Sequence, residues 1–162
     1  MTSIRSANQA DLEEVAHINV DNWRATYENI LPQSYLESLE YRAFQRKWER
    51  FIVQPSQELL VKELENKVAG FIAFSESKDW SDNLYIDSLH ISQKCQRKGV
   101  GTQLLLQVLQ QAKEDKKTVT IAILKNNENA RKLYTKLGAV HLKDFSDKFG
   151  DVTTDSELLI WK

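Results

Sequence analysis

Apolar positions recur at helical spacing through the first third of the chain, and the period shortens to that of strands just after Pro55. A short strand is expected over residues 3–7. Asp11 then reads as a helix N-cap, with Glu14 three residues on completing a capping box. Leu12, Val15, Ile18, Trp23 and Tyr27 form the apolar stripe of the helix that follows, with a break near residues 30–32. Leu36, Leu39, Phe44, Trp48 and Phe51 predict a further helix over residues 34–52.

From residue 58 the pattern is that of strands. ELLVKEL (58–64) and VAGFIAFS (68–75) flank Glu65-Asn66-Lys67 and predict an antiparallel hairpin. LYIDSLHI (84–91) reads as a strand buried on at least one face. A helix is expected over residues 99–113, with positions 100, 104, 105, 108, 109 and 112 as its inner face. TVTIAIL (118–124) is a β-branched strand, and the helix over 127–137 ends at Gly138, a favoured C′ residue. Residues 139–144 and 157–161 predict two last strands joined by a polar loop. The order implies an α+β domain built on a mixed sheet.

At 162 residues the chain fits one domain, residues 1–162, able to bury about two thirds of its unfolded surface. Its 22 basic and 23 acidic residues leave a net charge of −1, which gives no bulk attraction to nucleic acid or to an anionic membrane. Cys95 is the single cysteine, no Cys/His cluster has zinc spacing, and no metal is expected. Without a signal-like N-terminus or a long apolar run, a cytoplasmic protein is expected.

Candidate chemistry concentrates at one corner, QKCQRKGVGTQLLLQVLQQA (93–112). A helix N-terminus offers unpaired N–H groups and partial positive charge, Gly99 and Gly101 leave room for a ligand against the backbone, and Arg97 and Lys98 add cations. Together they suit a diphosphate. The corner is not a P-loop, since no Gly-Lys-Ser/Thr follows, and it lacks the third glycine of the dinucleotide fingerprint.

Gln96-Arg97-Lys98-Gly99-Val100-Gly101 matches Q/R-x-x-G-x-G/A and so resembles the GCN5-related N-acetyltransferase (GNAT) family. LHI at 89–91 resembles that family's fourth strand, and NENARKLYTKLGA (127–139) its N-x-x-A-x-x-x-Y segment, so that residues 58–140 match in order and spacing. The resemblance implies a layered α/β/α fold, a splayed sheet of about six or seven strands with about four helices, and acetyl coenzyme A as cosubstrate. It implies that the amides of residues 97–102, Thr102 included, hold the diphosphate, while the backbone of Leu89, His90 and Ile91 pairs with the pantetheine arm. Asn127 and Ala130 match coenzyme-contacting positions; Asn127 is equally suited to cap its helix. Tyr134 matches the tyrosine that protonates the departing thiolate.

Several family members place a glutamate base eleven residues before the first motif position, and here that place holds Tyr85. Asp87 shares strand parity with Tyr85, Leu89 and Ile91, which makes it the candidate base, while His90 faces the other way as a packed histidine. Cys95 adjoins the corner without a histidine partner and reads as incidental. WRATYENILPQSYLESL (23–39) resembles the acceptor side of small acetyltransferases, which makes Trp23, Tyr27, Glu28 and Tyr35, with Tyr85, candidates to line the site; helix packing of the aromatics and a solvated Glu28 are the alternatives. The expected reaction is acetyl transfer to a primary amine, the acceptor a small molecule, with a protein N-terminus or lysine, or a non-catalytic acyl coenzyme A sensor, as alternatives. Family members are often dimers, so a homodimer is possible.

Overall fold

The computed structural model describes residues 4–149 and 151–162. Strand β1 (Ile4–Ser6) precedes three helices, α1 (Leu12–Thr26), α2 (Gln33–Glu37) and α3 (Tyr41–Ile52). Next come β2 (Gln57–Leu64), β3 (Lys67–Glu76) and β4 (Asn83–Ile91), then α4 (Val100–Glu114), β5 (Thr118–Leu124) and α5 (Glu128–Lys136). Strands β6 (Val140–Phe149) and β7 (Val152–Trp161) close the described chain. The strands form one mixed sheet in the order β1-β2-β3-β4-β5-β7-β6. Of its neighbours β4 and β5 are parallel, as a helical crossover between them requires, and the remaining pairs are antiparallel.

Each face of the sheet carries its own core. Leu12, Val15 and Ile18 of α1 and Trp48 of α3 pack on Val61, Phe71 and Ala73. On the other face Val100, Leu104, Leu105 and Val108 of α4, with Tyr134 of α5, pack on Ile72, Phe74, Ile86 and Ile121. The expected inner positions of α4 are thus the ones that are covered. The β2–β3 hairpin turns on Glu65 and Asn66, both at positive φ (53° and 65°), the type I′ geometry whose twist matches the strands.

Three expectations are corrected. Asn8, not Asp11, is the first cap: its Oδ1 accepts the Ala10 N–H at 2.9 Å. Asp11 instead takes two hydrogen bonds from the Arg5 guanidinium, at 2.8 and 2.9 Å, and the Asn8 N–H. Glu14 reaches the Val68 N–H at 3.1 Å. The helix expected over 34–52 is two helices, so the described residues hold five α-helices where about four were expected. Arg24 donates to the carbonyls of Leu36 (3.3 Å) and Leu39 (2.8 Å), acceptors a continuous helix would have used for itself. The polar stretch after Asp144 is no loop, because β6 and β7 extend through it as a ribbon paired from Val140↔Ile160 to Phe149↔Val152.

Candidate active site

The sheet opens where β4 and β5 part. They pair from Asn83↔Thr118 to Ile86↔Ile121 and no further; beyond that point β5 pairs with β7, and β4 pairs with β3 alone. The edge of β4 from Asp87 to Ile91 therefore faces a notch. Asp87 has no partner across the ladder, since Ala73 pairs with Ser88 and Phe74 with Ile86, which makes it a β-bulge.

The bulge overturns the expected parity. Before it Leu84 and Ile86 point into the α4 core, and after it Leu89 and Ile91 do. Asp87 does not continue their row. His90 instead faces the α1/α3 side, 5.6 Å from the Phe71 ring, and its burial with the nearby Lys47 charge holds its pKa down to about 4. It is a packed, neutral imidazole, as expected, although on the face shared with Tyr85.

Which backbone groups look into the notch follows from one hydrogen bond. The Ser92 N–H donates to the Ala69 carbonyl at 2.8 Å, so Gly70↔Ile91 is a pair that exchanges no hydrogen bonds, and by alternation Ile72↔Leu89 is another. The N–H and C=O of both Leu89 and Ile91 consequently aim away from β3 and into the notch. The side chains of these residues serve the core, and only their main chain is offered.

At the end of β4 the chain passes through the 3-10 turn Gln93–Cys95 to the corner. Arg97 (φ 66°) and Gly99 (φ 79°) both take left-handed conformations, a geometry that converges successive N–H groups. Gly99 is the N-cap of α4 and brings no side chain to cap it. The Gln103 N–H is the first to find an intrahelical acceptor, Gly99 O at 3.0 Å, which leaves Val100, Gly101 and Thr102 with open amides. A Cβ on Gly99 would meet nothing within 4 Å, so this side of the turn is open. A Cβ on Gly101 would stand in contact with Ile91 Cγ1, at 3.4 Å, on the last residue of β4. Gln96, Arg97 and Lys98 are exposed, and neither cation is held in an ion pair among the described residues. Val100 contributes its amide only, its side chain being buried.

Notch and corner open into one cleft of about 720 Å³. Tyr134 stands on α5 at the splay, 7% exposed, its ring edge-on to Trp161. Burial, with Tyr27 nearby, pushes its pKa well above the ordinary tyrosine value. Asn127 caps α5, its Oδ1 accepting the Ala130 N–H at 3.3 Å, and its side chain also contacts the Tyr27 hydroxyl. Tyr27, expected on the acceptor side, is thereby drawn to the Asn127–Tyr134 end. Trp23 packs edge-on against Tyr27 with ring centroids 4.8 Å apart. Tyr85 lies at the far end, its pKa raised first by burial and then by the charges of Asp87 and Asp147.

Asp87 lines the cleft with Lys47 Nζ 3.7 Å from its Oδ2 and Ser88 Oγ donating at 3.2 Å. Tyr35 lines it too. Glu28 does not: it is exposed past the end of α1. Cys95 lines a neighbouring hollow instead of the cleft. Sequence reasoning missed Asn22 and Asn19, polar positions within the apolar stripe of α1, and Phe145 and Asp147, which lie in the stretch read as loop. The first pair carried a signal, since an asparagine inside a buried stripe demands a partner; Asn19 finds one in Trp48 Nε1 at 3.0 Å. Away from the cleft, His141, Asp144 and Glu157 bring potential ligand atoms within 4.8 Å of one another. Lys125 and Arg131 already neutralise those two carboxylates, at 3.0 and 2.5 Å.

A splayed sheet with a free β4 edge running into an uncapped, glycine-turned helix is the architecture of acyl coenzyme A dependent acyltransferases. Residues 14–139 match the model of the acetyltransferase (GNAT) family, and the chain belongs to that family. It is 32% identical over 109 residues to the uncharacterized N-acetyltransferase YuaI of Bacillus subtilis (strain 168), a match spanning 65% of this chain and 61% of that one. Among solved structures it resembles PaiA N-acetyltransferase from Thermoplasma acidophilum in complex with coenzyme A (TM-score 0.82, 20% identity, covering 100% of this chain and 99% of that chain). It also resembles ribosomal-protein-alanine N-acetyltransferase from Brucella melitensis (TM-score 0.78, 19% identity, 98% of each chain). No helix of the described chain is long and apolar enough to cross a membrane.

The residues present fit coenzyme A. Three open amides and two cations outside any ion pair among the described residues suit its diphosphate, and the main chain of Leu89 with the N–H of Ile91, whose carbonyl accepts from Asn22 Nδ2 at 2.8 Å, suits the amides of its pantetheine arm.

Proposed function

We propose that this chain is an acetyl coenzyme A dependent N-acetyltransferase acting on a small primary amine. The observation that carries the reading is the free β4 edge, which leads from the open amides of α4 to the phenol of Tyr134. When bound, the cosubstrate supplies an activated acetyl group and a thiolate leaving group. The Val100, Gly101 and Thr102 amides, with Arg97 and Lys98, anchor the diphosphate, and the Leu89 main chain orients the arm so that an encounter becomes effectively intramolecular.

The acceptor enters from the opposite end, past Tyr85 and the carboxylates of Asp87 and Asp147, which favour an ammonium group. Asp87 accepts the proton that the amine must lose before its nitrogen forms the new C–N bond. As the C–S bond breaks, the Tyr134 hydroxyl donates its proton to sulfur and regains one from the second proton that the newly acylated nitrogen sheds, and burial favours the protonated phenol at neutral pH. Phe145 and Asp147 of β6 wall in the acceptor end, which favours a small amine over a folded protein.

A panel of primary amines and of peptides with free N-termini, each incubated with acetyl coenzyme A and read by free thiol release, tests the proposal. Turnover with small amines is expected. Turnover restricted to the peptides would move the acceptor to proteins, and binding of the cosubstrate without release on any acceptor would leave a sensor.

A further inference from the structure

A second hollow, of about 590 Å³, lies beyond the acceptor end of the cleft, between the start of β2 and the residues that link β3 to β4. Tyr85 lines this hollow and the cleft alike, and no other described residue lines both. The sheet runs as one floor beneath the two spaces. Leu84, Ile86, Val119, Ile121 and Leu159 belong to the α4 core, so by alternation Tyr85, Thr120, Ala122 and Leu158 stand on the opposite face. On β5, Ala122 lines the cleft and Thr120, two residues back, lines the hollow; on β7, Ser156 lines the cleft and Leu158 the hollow. Tyr85 pairs with Thr120 across β4 and β5, so its partly exposed ring stands where the one space meets the other.

The two spaces differ in chemistry. The acceptor end of the cleft holds the carboxylates of Asp87 and Asp147, whereas Pro55, Trp80, Leu158 and the Tyr85 ring give the hollow apolar walls. Trp80 is 39% exposed, and its indole offers a ligand apolar area to cover. Of the charges at the rim, Glu76 is held by Lys117 at 2.6 Å, and Lys78 and Asp79 are of opposite sign and exposed. Asp87 and Tyr85 are two residues apart on β4, about 7 Å along a strand. An amine whose nitrogen meets Asp87 thus reaches Tyr85 with a chain of about that length, and a longer chain continues past the ring into the hollow.

We propose, on the N-acetyltransferase reading above, that this hollow is the distal half of the acceptor site and takes the apolar tail of an extended primary amine. The chain lies over the Tyr85 ring, and its end rests against Trp80 and Leu158. The carboxylates then select the reacting nitrogen, and the hollow selects what the nitrogen is attached to.

Steady-state kinetics with unbranched alkylamines from ethylamine to octylamine, at saturating acetyl coenzyme A, tests this. A methylene that leaves water contributes about fourfold, so kcat/KM is expected to rise at least about tenfold from ethylamine to hexylamine. Trp80 belongs to neither core, so Trp80→Ala spares the fold; it is expected to cut the hexylamine-to-ethylamine ratio about fivefold, through KM. A flat series in the wild type would leave the tail in water, and a wild-type ratio in Trp80→Ala would put it outside the hollow; either result overturns the proposal. Preference for hexamethylenediamine over hexylamine would assign the hollow to a second cation and overturn the apolar tail. Turnover of amines without a chain-length preference would remove this inference alone, whereas absence of turnover on every amine would remove the function proposed above and this subsite with it.

Discussion

Lys47 Nζ stands 3.7 Å from Asp87 Oδ2, so the one carboxylate at the bulge of β4 meets a cation from α3 at the acceptor end of the cleft. Both side chains are partly exposed, and the pair contributes little to stability. Its consequence is positional: Lys47 also lies over the Trp48 ring, 4.6 Å from its centroid, and holds the carboxylate toward the cleft. Asp87→Asn is expected to lower kcat/KM on the order of a hundredfold by removing the proposed proton acceptor, with the cosubstrate affinity unchanged. Steady-state kinetics with a confirmed amine checks this, and a loss under about threefold assigns the proton to water.

Tyr134→Phe removes the proposed proton donor and keeps the ring that packs on Trp161. A fall in kcat of about a hundredfold with an unchanged melting temperature is expected when chemistry limits the rate. Turnover equal to wild type under single-turnover conditions would take the acid role from this residue.

Gly99→Glu brings an anion to the turn that carries the open α4 amides and forces a side chain into φ 79°, a conformation that costs about 1–2 kcal/mol outside glycine. Coenzyme A binding is expected to weaken at least tenfold by calorimetry. Gly99→Ala, which carries the strain without the charge, separates the two causes, and wild-type affinity in the glutamate variant would place the diphosphate elsewhere.

His90 gives the fold a pH dependence of defined sign. Its folded pKa of about 4 lies below the unfolded value near 6.5, so the unfolded chain binds the proton first as pH falls. The neutral imidazole's contribution is fully present above about pH 6.5 and is lost progressively toward pH 4, by up to about 3 kcal/mol. Melting temperatures measured from pH 7.5 to 4.5 are expected to fall less in His90→Phe than in wild type. Parallel curves would mean that the imidazole charges without penalty.

Much of this protein was legible in its sequence because the relevant physics is local. The β4–α4 corner, the inner face of α4, the Asn127 cap and Gly138 as the stop of α5 depend on spacing and on φ preferences that a few neighbouring residues set. The errors share a different origin. Asp11 lost its capping role to Arg5, the helix over 34–52 was divided by Arg24 from α1, and the polar residues after Asp144 became strand because β7 paired with them.

Parity along β4 failed for the same reason. An alternating pattern assumes an unbroken pleat, and one unpaired residue, Asp87, reverses every side chain after it. The sequence by itself determined the class of fold and the glycine-turned terminus of α4, whose open amides suit a diphosphate, since glycine conformations and helix ends are properties of adjacent residues. Only the tertiary structure decided that β4 parts from β5, that the main chain of Leu89 and Ile91 faces the gap, and that Asn22 arrives beside them. Those relations depend on pairing and packing between segments far apart in the chain, and no local pattern encodes them.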